Sequence, residues 1–142
     1  MFIAAILKPE GPTHGTVRNL LTITEVYAPE ILLEETIKHL TELAIKKGTP
    51  VEELHARMKL LKQAIKFVPT SQYEQYLDTA AKLVKDPADK WFAALALSLS
   101  KKYKEVVILT YNKKDYKCEE LRERGITVIT PGEINQHIST RA

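Results

Sequence analysis

The sequence contains little cysteine and no long apolar segment, and both features narrow the class of protein. One cysteine, Cys118, stands among 142 residues. A single thiol cannot build a disulfide framework or a cysteine zinc site and suits a reducing compartment, so we expect a cytoplasmic protein. No apolar run approaches the roughly 20 residues that a membrane-spanning helix requires. We therefore expect no membrane partner.

The sequence also lacks the glycine-rich signatures of several large enzyme classes. It contains no Gly-x-x-x-x-Gly-Lys loop, no Gly-x-Gly-x-x-Gly fingerprint and no Gly-x-Ser-x-Gly elbow. These absences disfavour nucleoside triphosphate, dinucleotide and α/β-hydrolase families. No internal repeat, linker or low-complexity tract divides the chain, so we predict a single domain over residues 1–142.

The remaining composition is that of an ordinary globular protein with a slight excess of positive charge. Hydrophobic residues make up 44% of the chain and charged residues 27%, which is enough apolar material for a substantial core. The formal net charge of +3 permits binding to nucleic acid without requiring it.

Strand-like and helix-like segments alternate along the chain. The predicted strands are Glu25–Ala28, Phe67–Val68, Glu105–Thr110 and Ile126–Ile129. The predicted helices are Thr13–Leu21, Glu30–Lys47, Thr49–Lys66, Ser71–Val84, Pro87–Lys102, Asp115–Arg124 and a short one after Thr130. Strands separated by helices predict an α/β fold with a mostly parallel central sheet and helices on both faces.

Acidic and polar residues flank the clearest of these strands, Glu105–Thr110, whose middle is the apolar run Val-Val-Ile-Leu. Asp86 and Asp89 open the helix before it, and Asn112 and Asp115 follow it. In a parallel sheet, ligands bind beyond the carboxyl ends of the strands. Carboxylates that converge there suit hard divalent cations, which prefer oxygen ligands. The pattern therefore predicts metal-dependent chemistry on phosphates.

Each of these residues also has a purely structural interpretation. Asp86 is most simply an N-cap, and Asp89 stands where a carboxylate favours the helix macrodipole. Asp115 can cap a helix that begins at Tyr116. Aromatic residues at helical spacing, Trp91 and Phe92, are more often core than a platform for stacked bases.

The segments in this order resemble the PIN domain family. The resemblance is carried by Tyr27–His39, by Asp86-x-x-Asp89 with the apolar helix behind it, by Leu109–Tyr116 and by Gly125–Glu133. It covers most of the chain and implies a three-layer α/β/α sandwich and a metal-dependent ribonuclease. Carried over residue by residue, it implies catalytic roles for Glu35, Asp89 and Asp115. It also implies Mg²⁺ or Mn²⁺ bound by Glu35, Asp89, Asn112 and Asp115, with Glu34 as a weaker substitute for Glu35.

Two of these carried-over residues have further interpretations. Glu35 stands four residues before His39, so the two share a helix face, as a metal-binding pair or more commonly as a partly exposed helical pair. Asn112 is at best a neutral ligand, so it would dilute the charge of the site if it replaces an acid.

The start of the chain departs from the family pattern. The family begins with a central strand that ends in an Asp-Thr-Asn-like signature, whereas no aspartate precedes Asp78 here. We therefore expect the first strand and its aspartate to be missing, through an upstream segment not included in the chain or through divergence. A sheet without its central strand would expose apolar edges, which predicts a homodimer.

The resemblance implies RNA as the substrate and permits an antitoxin-like protein partner. Three lysines after the main strand, Lys113, Lys114 and Lys117, are the predicted contacts to backbone phosphates; they also fit an ordinary solvated surface. The expected function is Mg²⁺- or Mn²⁺-dependent endoribonuclease activity. The alternative is a catalytically inactive module of the same fold that binds RNA or a protein.

Overall fold

A parallel five-stranded sheet forms the centre of the described structure. The computed structural model describes residues 4–7, 24–31 and 65–133, with the separate positions 42, 45, 48, 50, 52, 53, 56, 59 and 63. The strands are β1 (Ala4–Leu7), β2 (Glu25–Pro29), β3 (Lys66–Val68), β4 (Val106–Leu109) and β5 (Ile126–Ile129). Their order is β3-β2-β1-β4-β5. Because all four pairings are parallel, the strands end at one common edge, which we call the carboxyl edge.

The first strand is present, so the prediction that it is missing was wrong. Residues Ala4–Leu7 pair with β2 on one side and with all four residues of β4 on the other. The prediction relied on the absent aspartate, whereas a central parallel strand needs only a short apolar run with backbone partners on both sides. With the sheet centre filled, the argument for a homodimer from exposed apolar edges no longer applies.

The strands predicted downstream are confirmed with small changes at their ends. β2 extends through Pro29, whose place at the end of the strand leaves the ladder intact. β3 begins one residue earlier than predicted, and β4 lacks the two outermost predicted residues. All four side chains of β4 are buried, as expected for a strand that is covered on both faces.

Three helices are described throughout: α1 (Leu77–Ala81), α2 (Lys90–Leu99) and α3 (Cys118–Glu123). α2 packs against β1, β2 and β4, and α3 packs against β5. α2 approaches the sheet closely because its small residues Ala93, Ala94 and Ala96 are fully buried. Short 3₁₀ turns lie at Thr70–Gln72, Glu74–Tyr76, Pro87–Asp89, Lys113–Asp115 and Pro131–Glu133. The described part therefore has an α/β fold built on a parallel sheet.

Three predicted helices are shorter than expected. The Pro87–Lys102 segment begins with a 3₁₀ turn and is α-helical only over Lys90–Leu99. The Ser71–Val84 segment consists of two 3₁₀ turns and then α1, and no side chain caps these elements. The Asp115–Arg124 segment becomes helical only at Cys118, so the prediction that Asp115 caps a helix at Tyr116 was wrong. Tyr116 instead has an extended backbone and forms an antiparallel bridge with Val84. A tertiary pairing has overridden the local helical pattern.

The predicted helices before β3 lie almost entirely outside the described residues. Positions 42, 45, 52, 53, 56, 59 and 63 have helical backbone. Gly48, predicted to stop the first of these helices, has a φ of 67°, which is the left-handed conformation expected there. The Thr13–Leu21 segment is not among the described residues. Where the chain is described, no helix is long and apolar enough to cross a membrane.

A polar cluster joins the opposite edge of the sheet, where the strands begin. Glu25 accepts hydrogen bonds from the hydroxyls of Tyr27 and Tyr103 and, at 2.9 Å, from the Lys66 ammonium group. The two tyrosine hydroxyls are also 2.6 Å apart. These bonds connect β2, β3 and the turn that precedes β4. We call this set of four residues the Glu25 cluster.

Candidate functional site

Among the predicted site residues that the structure describes, Asp89 is the most deeply buried. Its exposed fraction is 0%, and it ends the 3₁₀ turn immediately before α2. It stands at the N-cap position of α2 without a side-chain capping hydrogen bond, so the predicted interaction with the helix macrodipole stays an alternative to metal binding. Burial of a carboxylate is costly unless partners or a cation offset the lost hydration. The position therefore suits a carboxylate that has a specific polar partner or binds a cation.

Asp86, one turn earlier, has the structural role predicted for it. One oxygen of its carboxylate accepts a 3.0 Å hydrogen bond from the Ala88 backbone N–H, and Pro87 occupies the first position of the turn. The side chain is exposed. The two aspartates of the Asp-x-x-Asp motif thus differ in role: Asp86 caps the turn at the surface, and Asp89 is buried.

The loop after β4 lies beside this motif because the backbone connects them directly. The Lys85 N–H donates to the Asp115 carbonyl at 2.7 Å, and the Lys117 N–H donates to the Leu83 carbonyl at 2.9 Å. Together with the bridge between Val84 and Tyr116, these bonds form a short antiparallel pairing. Residues that are about thirty positions apart in sequence are thereby held at one place.

Tyr116 is a buried tyrosine within electrostatic reach of three aspartates. Its side chain is 3% exposed. Burial raises the pKa of the Tyr116 hydroxyl, and the negative charges of Asp89, Asp115 and Asp86 raise it further. All three carboxylates are therefore near enough to act on one phenol. We call Asp89, Asp115 and Tyr116 the acidic cluster; Asp86, whose carboxylate caps the preceding turn, is not counted in it.

Asn112 occupies a more exposed place on the same loop. Its backbone N–H donates to the hydroxyl of Thr110 at 3.1 Å, and Thr110 is completely buried. The Thr110 N–H in turn donates to the Ile129 carbonyl at 3.0 Å, which extends the pairing of β4 with β5. The turn is thus firmly held, while Asn112 itself faces solvent. Asp115 is half-buried between these two environments.

Glu35, Glu34 and His39 lie outside the described residues. Glu35 therefore stays a prediction as a ligand and as a catalytic residue. Within the described ranges, no three histidine, cysteine or acidic side chains form a group that could hold a metal ion. The donors that are described, two half-buried or buried carboxylates and one amide, are oxygen ligands of the kind that Mg²⁺ and Mn²⁺ prefer. Mg²⁺ commonly uses only one or two protein carboxylates and keeps several waters, so the donor chemistry fits.

The predicted phosphate-binding lysines are not equivalent. Lys113 forms an ion pair with Glu133, at 3.2 Å, which links the turns after β4 and β5. Glu133 also accepts hydrogen bonds from the backbone N–H and the hydroxyl of Thr130; these bonds and the Lys113 charge lower the pKa of Glu133. Lys114 and Lys117 are exposed. Of the three, these two are the better placed to meet a phosphate.

The aromatic residues of α2 belong to the core, as predicted. Phe92 is 2% exposed, and Trp91 is partly buried against the same core. The Lys90 ammonium group lies 5.3 Å from the centre of the Trp91 ring. Phe92 is therefore a core residue, and Trp91 packs at the border of the core.

Sequence reasoning did not anticipate the central place of Tyr116. By sequence it lies in the first turn of the predicted helix Asp115–Arg124. The one available signal was its apolar ring next to Asp115, a combination that an extended segment can place on two opposite sides of the chain. The pairing with Val84 is what holds this segment in an extended conformation beside the Asp-x-x-Asp motif.

A family model of the PIN domain matches residues 1–102, and the chain therefore belongs to the PIN domain family. The match includes β1 and both aspartates of the Asp-x-x-Asp motif. No curated protein and no solved structure showed a significant match. PIN domains are typically nucleases that depend on divalent metal ions, so the family indicates a nuclease-type function.

Proposed function

We propose that this protein is a Mg²⁺- or Mn²⁺-dependent endoribonuclease of the PIN type. The observation that carries the proposal is the buried carboxylate of Asp89, which lies in the acidic cluster beside the loop that follows β4. RNA is the proposed substrate, and the location is proposed to be cytoplasmic. The proposed frame is one three-layer α/β/α domain over residues 1–142, with an antitoxin-like protein as a narrower possible partner.

Asp89 and Glu35 are the proposed principal ligands, with Asp115 and Asn112 at the rim. When bound there, the divalent cation supplies an activated water and offsets negative charge on the phosphate. Asp89 contributes a carboxylate whose position is set by the helix start and by the packing of α2. Packing of this kind keeps a ligand in place before the substrate arrives, which lowers the cost of reaching the reactive geometry.

Lys114 and Lys117 are proposed to hold the RNA backbone beside the acidic cluster. An acidic site repels a polyanion, so cationic side chains nearby are needed for affinity. Lys114 directly precedes Asp115 and Lys117 follows it by two residues, so both positive charges lie close in sequence to the acidic cluster.

The proposal is tested by two substitutions within one turn, Asp89→Asn and Asp86→Asn. We expect Asp89→Asn to reduce Mn²⁺-dependent cleavage of single-stranded RNA by at least about 100-fold, since even supporting residues of metal sites cost 10- to 100-fold. Asp86→Asn should keep most of the activity, because asparagine is also a good N-cap. Cleavage is followed on a labelled oligoribonucleotide, and Mn²⁺ affinity by calorimetry. Equal activity of Asp89→Asn and the wild type would contradict the proposal.

A second candidate function is a catalytically inactive module that binds RNA or a protein. It is favoured by Asn112, a neutral and exposed residue where the family resemblance leads one to expect an acid. The same experiment separates the two functions. RNA binding that persists in the wild type without any Mn²⁺-dependent cleavage would support the inactive module.

A further inference from the structure

Tyr111 is an exposed aromatic residue at the carboxyl edge, next to the proposed site. Its exposed fraction is 52%, and its neighbour Thr110 is completely buried. Among the described residues, the exposed large hydrophobic side chains are Ile31, Ile45 and Tyr111, so Tyr111 is the one aromatic ring in this group. A large ring is therefore presented to solvent where the chain leaves the core.

The backbone on both sides of this ring is held in place. Thr110 is bonded to Ile129 of β5, the Asn112 N–H is bonded to the Thr110 hydroxyl, and the Asp115 N–H donates to the Asn112 carbonyl at 3.0 Å. A ring on a fixed turn loses little conformational freedom when a ligand covers it. This differs from an aromatic side chain on a loose loop, where ordering the loop would weaken binding.

The surroundings of Tyr111 combine two further features. Exposed Lys114 follows it by three residues, and the acidic cluster begins with Asp115 on the same loop. A nucleotide has a flat base, an anionic phosphate and a scissile bond. The loop offers in close sequence an aromatic face, a cation and a carboxylate. Aromatic side chains beside basic grooves bind single strands by stacking on successive bases.

We propose that Tyr111 is a base-stacking residue that holds one nucleobase of single-stranded RNA next to the acidic cluster. This inference rests on the proposed function for its substrate. The stacked base would fix the register of the strand, so the neighbouring phosphate is presented to the acidic cluster. Because every base has an aromatic face, this contact selects single strands over duplexes more than it selects a sequence.

The test is a series of substitutions at Tyr111 in the full chain: Trp, Phe, Leu and Ala. Binding to a labelled single-stranded oligoribonucleotide is measured by fluorescence anisotropy in EDTA, where no cleavage occurs. We expect Trp and Phe to keep the wild-type Kd within about threefold, and Leu and Ala to weaken it by roughly tenfold or more, as expected for the loss of one stacked base. In Mn²⁺ the Leu and Ala variants should raise KM more than they lower kcat, whereas Trp and Phe should change neither by much.

A base-free polyanion provides the matched control ligand. Inorganic polyphosphate has charge but no ring. Its own affinity, obtained from competition with labelled RNA, should therefore be the same for the wild type and for Tyr111→Ala. The slope of log Kd against log salt should also stay the same in the alanine variant, because no phosphate contact is removed.

The outcomes separate this inference from the proposed function. Wild-type affinity of Tyr111→Leu would overturn the stacking role, because leucine has no aromatic face on which a base can stack. Phe as weak as Ala would overturn it in favour of the hydroxyl. If Tyr111→Ala loses RNA affinity while the wild type shows no Mn²⁺-dependent cleavage, stacking stands and the nuclease proposal fails. Mn²⁺-dependent cleavage with an unchanged KM across the series would support the nuclease proposal and overturn the stacking role of Tyr111.

Discussion

Glu25 illustrates how one partly exposed carboxylate can connect three parts of a chain. The hydroxyl of Tyr27, the Lys66 ammonium group and the hydroxyl of Tyr103 all donate to it, and together they lower the pKa of Glu25 to about 2. Burial and the hydrogen bond to Glu25 raise the pKa of Tyr27, so the phenol stays protonated as a donor. The cluster is therefore built around an ionised glutamate.

This arrangement makes stability depend on pH in a defined window. The pKa of Glu25 is depressed in the folded state, so its contribution is complete above the ordinary value of 4.5 and is lost as the pH falls toward about 2. We expect Glu25→Gln to lower the urea midpoint at neutral pH and to match the wild type near pH 2. Urea titrations at several pH values measure the difference.

A glutamate on the surface of α3 serves as the control. The difference between the wild type and Glu119→Gln, an exposed position, should change little over the same pH range. A Glu25→Gln difference that is constant from neutral pH to pH 2 would mean that the cluster does not depend on the charge of Glu25.

At the scale of elements, two glycines lie in the turns on either side of β5 and differ in backbone conformation. Gly125 joins α3 to β5 with a φ of 82°, a conformation that side chains with a Cβ rarely adopt. An added Cβ would lie 3.6 Å from the Lys104 carbonyl oxygen, which is ordinary contact, so the expected cost comes from the backbone and not from a clash. Gly132, in the turn after β5, has no such positive φ.

The two glycines should therefore respond oppositely to alanine. We expect Gly125→Ala to lower the free energy of unfolding by about 1–2 kcal/mol. Gly132→Ala should leave it unchanged or raise it by up to about 1 kcal/mol, because alanine restricts the unfolded chain. Denaturant unfolding of both variants gives the comparison. A similar loss in both variants would mean that the positive φ of Gly125 does not determine the cost of its substitution.

The same scale shows where sequence patterns were sufficient. The apolar run of β4 and the Asp86 cap needed only local information, since neighbouring residues determine both. α3 was placed too early because Tyr116 has its partner, Val84, about thirty residues upstream. A partner so far away in the sequence cannot be recognised from the residues next to Tyr116. Asp89 could be singled out from the Asp-x-x-Asp spacing, but its complete burial follows from how α2 packs on three strands.

At the scale of the whole molecule, charge is distributed between two edges of the sheet. Lys114 and Lys117 lie beyond the end of β4, whereas Lys101 and Lys102 lie before its start, between α2 and β4. The net charge of +3 cannot distinguish these groups. If RNA lies along the acidic cluster, only the first pair should contribute to binding.

We therefore expect Lys114→Ala with Lys117→Ala to weaken RNA binding and to reduce the salt slope of log Kd by about 1.4, which corresponds to two lost phosphate contacts on a single strand. Lys101→Ala with Lys102→Ala removes the same charge from the other edge and should leave the slope unchanged. Anisotropy at several salt concentrations measures both. Equal effects of the two pairs would mean that RNA is attracted by net charge alone.

The central position of β1 has a consequence for synthesis on the ribosome. β1 is made first, but one of its two partners, β4, follows about a hundred residues later. Contacts between such distant segments slow folding, because a long loop must close before they form. Until β4 has left the ribosome, the nascent chain carries a strand with one side unpaired. During that interval, a chaperone that covers apolar strands would protect it from aggregation.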